Sequence, residues 1–234
     1  MSEVFLERDF KAYERHRQDD PEYNALRLSV RRKLKAIVDG VQKEAKAAGY
    51  DLSAQAGLHH PYTFNAYRVR EQRAYLCRGT KERKQLATFF GDALGKDAET
   101  HYIQTVLECC LDDCIVEAAL RVHPQAWWDG ENLKKKVLGD AAGMDEFVRL
   151  LRALPPGFNL KLHDWKKDHW CAQAKASEVK ELLQHYTPGN HWLHVQRQLP
   201  KEDAVAMGPD AEAWVRASLL ALLPLQRFTL WVPK

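Results

Sequence analysis

Apolar residues return at steps of three and four through residues 21–49: Leu26, Val30, Leu34, Ile37, Val38 and Val41. That spacing makes one apolar stripe and predicts a long helix with a single face in the core. Asp20 can cap it, Pro21 suits the first helical position and Gly49 suits the stop. Ahead of it, Phe5, Phe10 and Tyr13 predict a short helix over 7–16. Residues 52–62 hold no sustained period and read as a loop. Alternation then takes over. Across 67–78, Tyr67, Val69, Glu71, Arg73, Tyr75 and Cys77 fall on one side and Arg68, Arg70, Gln72, Ala74, Leu76 and Arg78 on the other, which is the period of a strand. Thr80 can cap a following helix over 81–94 that buries Leu86, Phe89, Phe90 and Leu94.

Two β-rich runs, YIQTVLECCL and CIVEAALRV, flank Asp112 and Asp113, and predict an antiparallel hairpin. Pro124 ends it. Short helices are expected from Asp129 or Gly130 to Leu138 and over 144–154, the second stopped by Pro155, Pro156 and Gly157. In FNLKLHDW, Phe158, Leu160 and Leu162 alternate with Asn159, Lys161 and His163, the pattern of a sheet covered on one face. Ser177 can cap a helix carrying Val179, Leu182 and Leu183, residues 191–199 form the last strand candidate, and 210–223 is a helix apolar on most sides, hence buried. The order lacks a βαβ rhythm. An α+β fold is expected, with a mostly antiparallel sheet of about five strands packed with helices, in a single domain over residues 1–234.

Composition narrows the partner classes more than the fold. The 234 residues carry 35 basic and 32 acidic side chains, a formal charge of +3, which excludes a histone-like, charge-driven binder. Any electrostatic site must be local. The apolar stretch 211–225 contains Glu212 and Arg216 and ends near Pro224, too short for a membrane span, so no membrane partner is expected. The first residues, MSEVFLERDF, lack the apolar run of an export signal. Five cysteines then read as reduced thiols in a cytoplasmic protein.

Basic groups gather where the sum conceals them. Arg68, Arg70, Arg73, Arg78, Lys81, Arg83 and Lys84 stand against Glu71 and Glu82, with Tyr62, Phe64, Tyr67 and Tyr75 interleaved. Such a surface can neutralise phosphates and stack bases. The same run could equally be a solvated face paired with nearby acids. Arg27, Arg31, Arg32, Lys33 and Lys35 add a second basic group on the long helix. Elsewhere Asp164 and Lys166 give the acid-x-lysine spacing of metal-dependent nucleases, in which the carboxylate holds Mg²⁺ and the lysine meets the scissile phosphate. A second carboxylate would have to come from Asp112, Asp113, Glu117 or Asp129, and a plain surface ion pair is the alternative. His163, His169, Cys171, His191 and His194 lack the compact spacing of a zinc site, as do the adjacent His59 and His60. Cys109, Cys110 and Cys114, near three acids, read as structural thiols. Trp127, Trp128, Trp165 and Trp170 would frame an aromatic pocket beside Asp164 if they converge. No glycine-rich nucleotide cradle is present.

The opening FLERDFKAYE, the helix VRRKLKAIV, the passage AYRVREQRAYLC, the central hairpin and the closing LLPLQRF together resemble the YktB-like family of uncharacterised bacterial proteins over most of the chain. Where that family has its more distinctive internal motif, this sequence has AGLHHPYTFNAYRV. The resemblance implies a compact α+β fold and brings no activity or catalytic residue with it.

Three functional expectations follow. The first is a binding domain that engages nucleic acid or another anionic partner through Tyr67, Arg68, Arg70, Arg73, Tyr75, Arg78, Lys81, Arg83 and Lys84, without a cofactor. The second is a Mg²⁺-dependent nuclease or phosphodiesterase using Asp164 and Lys166. The third is a non-catalytic subunit that has a protein partner.

Overall fold

Seven strands form one fully antiparallel sheet in the order β1-β2-β3-β4-β7-β5-β6 in a computed structural model that describes residues 5–95 and 100–232, with side chains of 92–95 left aside. In chain order the elements are α1 (Glu7–Lys11), α2 (Asn24–Ala47), β1 (Leu52–Ala56), β2 (Gln72–Arg78), α3 (Thr80–Gly95), β3 (Val106–Leu111), β4 (Ile115–Val122), α4 (Trp127–Gly139) and α5 (Ala141–Arg152). They continue with β5 (Phe158–Leu162), β6 (His169–Trp170), α6 (Ala176–His185), β7 (Leu193–Pro200), α7 (Lys201–Met207), α8 (Asp210–Ala221) and α9 (Leu223–Thr229).

The α+β class and the antiparallel pairing stand as expected, and the strand count is seven instead of five. The two additional strands are the edges. β1 lacks a strand period in its sequence, because after Leu52 the segment SAQA holds only small and polar residues, and β6 is two residues long, too short to show one. Residues 67–71 are no strand. Ala66 and Tyr67 both adopt left-handed backbone, with φ of 51° and 57°, and β2 begins only at Gln72. The long helix starts three residues late: Asp20 accepts a hydrogen bond from the Glu22 amide at 2.9 Å and caps a 3-10 turn over Pro21–Tyr23 that leads into α2. In α3, Leu86 is fully buried but Phe89 is 63% exposed, and Leu94 lies outside the described side chains. α6 begins before Ser177, which therefore does not cap it.

Because side chains alternate across a strand, the register sorts the sheet into two faces. One carries Leu76, Leu107, Cys109, Leu120, Leu160 and Val195, and joins α2, α4, α5, α8 and α9 in a single apolar core. The opposite face is mostly polar, apart from a small buried cluster of Tyr75, Cys77 and Val106. Arg73, Glu108, Glu117, Arg121, His194, Gln196, Gln198, Asn159 and Lys161 all project from it.

Helices α4 and α5 meet so closely that Gly143 tolerates nothing larger: a Cβ there would fall on the Lys136 carbonyl oxygen, while the Gly143 amide donates to the Asp140 cap at 2.6 Å. Gly143→Ala should therefore cost about 1–3 kcal/mol of unfolding free energy despite alanine's higher helix propensity. Urea denaturation of the variant measures it, and an unchanged midpoint would contradict the packing described.

Candidate nucleic-acid interface

The basic residues expected to share one surface are divided by the fold. Arg78 lies on the core face of β2 and is 1% exposed. Its guanidinium grips the Asp129 carboxylate at 3.1 and 2.6 Å and donates to the Trp231 carbonyl at 2.9 Å. Arg73 is tied to Glu71 and, at 3.5 Å, to Glu108. Tyr75 is buried against His101, and Arg83 is buried with its guanidinium donating to Ser53 Oγ at 3.2 Å. Arg78, Tyr75 and Arg83 are interior groups, and Arg73 is half-buried with its charge already paired. Arg27, expected on a basic helix face, is also fully buried, donating to the carbonyls of Ala12, Arg17 and Asp20. Tyr67, Arg68, Arg70, Lys81 and Lys84 remain exposed.

What the structure brings together instead is the loop over 57–70 and the first half of α2. Asn65 organises the loop. Its side-chain oxygen accepts the Tyr62 amide at 2.7 Å and its amide nitrogen donates to the His60 carbonyl at 2.9 Å. The Tyr67 amide also returns to the Tyr62 carbonyl at 2.9 Å, and buried Val69 pins the far end by donating its N–H to the Gln18 carbonyl at 2.9 Å. On this frame the rings of His59, His60, Tyr62 and Phe64 follow one another at centroid spacings of 5.0, 6.1 and 5.8 Å. Phe64 is 88% exposed, and Tyr67 60%. Two left-handed non-glycine residues beside it cost about 1–3 kcal/mol each, a cost that collects at functional sites.

Charge on this surface is one-sided. No acidic residue occurs from Leu52 to Arg70 or from Tyr23 to Val38. Arg31 Nε donates to the Gly57 carbonyl at 2.9 Å, which holds the acid-free part of α2 against the acid-free loop. His59 is held below the usual imidazole range, first by partial burial and then by His60, Arg31, Arg27 and Arg32. Among the described residues, no carboxylate pairs with Arg32, Arg68 or Arg70. The missing acids are visible in the sequence. Counting them, instead of counting bases, would have separated 57–70 from 71–84.

Asp164 sits at the end of β5 with imidazoles about it. Its Oδ2 lies 3.2 Å from His185 Nε2 and 3.4 Å from His191 Nε2. No sequence pattern marks His185, because only the fold brings the end of α6 to that corner. Slight desolvation raises the Asp164 carboxyl, but the His185 hydrogen bond and nearby His191 outweigh it and hold the group below its usual range. Lys166 is exposed. The acids that might have joined Asp164 are engaged elsewhere: Asp129 with Arg78, Glu117 with Arg121 and Gln198, Asp112 with the amides of Cys114 and Ile115, and Asp113 with the Cys114 thiol in the hairpin turn. A lone carboxylate among imidazoles does not fit Mg²⁺, which requires oxygen ligands. A softer ion is also poorly served. The Thr187 amide donates to His191 Nδ1 at 3.0 Å, so the ring's proton is on Nε2, where it faces Asp164 as a donor instead of a metal-binding lone pair.

The tryptophans do not form one frame. Trp128 packs on Phe90 at 4.1 Å and on Trp127 at 5.7 Å, whereas Trp165 packs on His185 at 4.6 Å, and no ring contact joins the two groups among the described residues. Cys109 and Cys110 are buried and their thiols are pushed up by burial, while Cys114 is exposed in the hairpin turn. Among the described residues, no helix is long and apolar enough to cross a membrane. No protein-family model matches this chain, and no curated protein matches it either.

Proposed function

We propose that the protein binds single-stranded nucleic acid through the loop over 57–70 and the adjoining turns of α2. The observation that carries this reading is Phe64, an aromatic ring held in solvent by an Asn65-centred turn with two left-handed residues, on a surface with arginines and no acid. Exposed rings in sequence offer stacking platforms to bases, and Arg32, Arg68 and Arg70 supply the phosphate contacts. Of the residues first singled out, Tyr67, Arg68 and Arg70 belong to this surface. A cytoplasmic location, where nucleic acid is accessible and thiols stay reduced, is part of the same proposal. The resemblance to the YktB-like family adds a fold expectation and no activity.

Fluorescence anisotropy with a labelled mixed-sequence 20-mer tests it. With about three phosphate contacts, raising salt from 50 to 200 mM should weaken binding roughly 15- to 20-fold. Phe64→Ala removes one stacking partner and should weaken it about tenfold, with the melting temperature unchanged because the ring is exposed. Arg68→Glu with Arg70→Glu should cost more than Phe64→Ala. Absence of binding at 50 mM salt, or binding indifferent to all three substitutions, overturns the reading.

A further inference from the structure

The polar face of the sheet holds a hollow of about 260 Å³, floored by Glu117, Arg121, His194, Gln196 and Gln198, with Glu71 on one side and Lys161 and His163 on the other. Most of its charge is already spent internally. Arg121 lies 3.3 Å from Glu108 and 2.5 Å from Glu117, whose other oxygen accepts from Gln198 at 2.8 Å, and Glu71 is taken by Arg73. Three groups are left over. His194 Nε2 has no solvent contact and no hydrogen-bond partner. Its Nδ1 lies 3.2 Å from Gln196 Oε1, which can only accept, so the proton is on Nδ1 and Nε2 presents a lone pair. His163 is the opposite tautomer: Nδ1 accepts the Trp192 amide at 3.2 Å, leaving Nε2–H as a donor. Lys161, directly across the strand pair from His194, has only a loose 3.8 Å pairing with Asp168.

A buried acceptor at the bottom and two donors, one of them cationic, at the rim define a ligand with a donor inside and an anion outside. We propose that this hollow is a binding site for a small α-hydroxy acid, its hydroxyl donating to His194 Nε2 and its carboxylate held by Lys161 and His163. The α-amino acids are disfavoured by the same surroundings. Burial, then Arg121, hold the His194 imidazole down to about 3, and a site that resists a proton on Nε2 resists an ammonium group beside it. A simple carboxylic acid leaves the buried lone pair unmet, the omission that polar sites discriminate against most strongly.

Matched series separate these cases: glycolate, lactate and malate; acetate, propionate and succinate; glycine, alanine and aspartate. Titration by saturation-transfer NMR should show at least one hydroxy acid binding tenfold or more tightly than its deoxy and amino counterparts. His194→Leu should abolish that preference. Because His194 is part of the sheet, Lys161→Met provides a second reading: half-exposed at the rim, it should weaken the hydroxy acid about tenfold without altering the melting temperature. If none of the hydroxy acids binds, or each binds no better than its deoxy match, or both variants bind like the parent protein, the hollow holds only water and the proposal falls.

Discussion

Asp129→Ala should lower the unfolding free energy by about 3–5 kcal/mol, the largest single loss expected in this protein. The carboxylate is wholly buried, and it meets the Arg78 guanidinium along two bonds at 3.1 and 2.6 Å. It also accepts the Thr105 amide and hydroxyl, each at 2.9 Å, and the Trp231 amide at 2.8 Å. Alanine would leave a buried cation whose nearest carboxylate is the half-exposed Glu82 at 4.0 Å, and three donors with no acceptor. The cost is thus set less by the attraction lost than by the desolvated groups left behind. Urea denaturation of the variant measures it. Arg78→Met combined with Asp129→Leu should recover part of the loss, since an apolar pair removes the stranded charge. The remainder reports the Thr105 and Trp231 groups. A single variant within 1 kcal/mol of the parent protein would contradict this account.

Acidification should be the second large effect, and it should begin well above the carboxylate range. Burial, then Arg73, push His101 and His123 down to about 4, and burial, then Arg121, push His194 to about 3, from an ordinary value of 6.5. Above pH 6.5 these imidazoles are neutral in both the folded and unfolded chain, and their contribution is fully present. Below it the unfolded chain takes up protons that the folded chain refuses, so stability falls with pH until each folded value is reached. His194 alone accounts for about 5 kcal/mol at 1.36 kcal/mol per unit. Glu108 acts lower down: burial raises it, Arg121 and Arg73 outweigh that, and its depressed value means a contribution that survives until pH falls through it. Denaturation midpoints between pH 7 and 3.5 should drop steeply from about 6.5 downward. His194→Leu should flatten the fall by roughly its own share. A curve level from pH 6.5 to 4.5 would be incompatible with these partly buried neutral imidazoles.

The sequence was legible where side-chain chemistry and environment agree. The stripe on α2, the β3–β4 hairpin and the alternation of Phe158, Leu160 and Leu162 each placed an apolar group where the fold buries one. Legibility failed where a residue's type and its surroundings diverge. Arg27 and Arg78 read as surface charge because arginine is solvated by default, and only the backbone carbonyls that take Arg27 and the distant Asp129 carboxylate that takes Arg78 allow them inside. Residues 67–71 alternate like a strand, but Ala66 and Tyr67 turn the backbone left-handed just before them, and no periodicity signals that. Of the proposed interface, Tyr67, Arg68 and Arg70 are apparent from the sequence and the supporting Asn65 is not, because its role is a pair of hydrogen bonds to backbone atoms. The hollow was invisible for the same reason: cross-strand register, not proximity in the chain, sets Arg121, His194 and Lys161 side by side.

The position of β7, between β4 and β5, imposes an order on how the molecule can be made. β1 through β4 pair with neighbours in the chain and can zip as they emerge from the ribosome. β5 and β6 cannot follow them onto the sheet, because the strand that must lie between is synthesised later, over Leu193–Pro200. Until then, the outer edge of β4 exposes a row of unpaired amides and carbonyls, the template on which nascent chains of neighbouring polysomes can pair. Glu117 and Arg121, on the polar face of that strand, place opposite charges beside the waiting edge, a safeguard against premature partners in the interval before the sheet is completed from its middle.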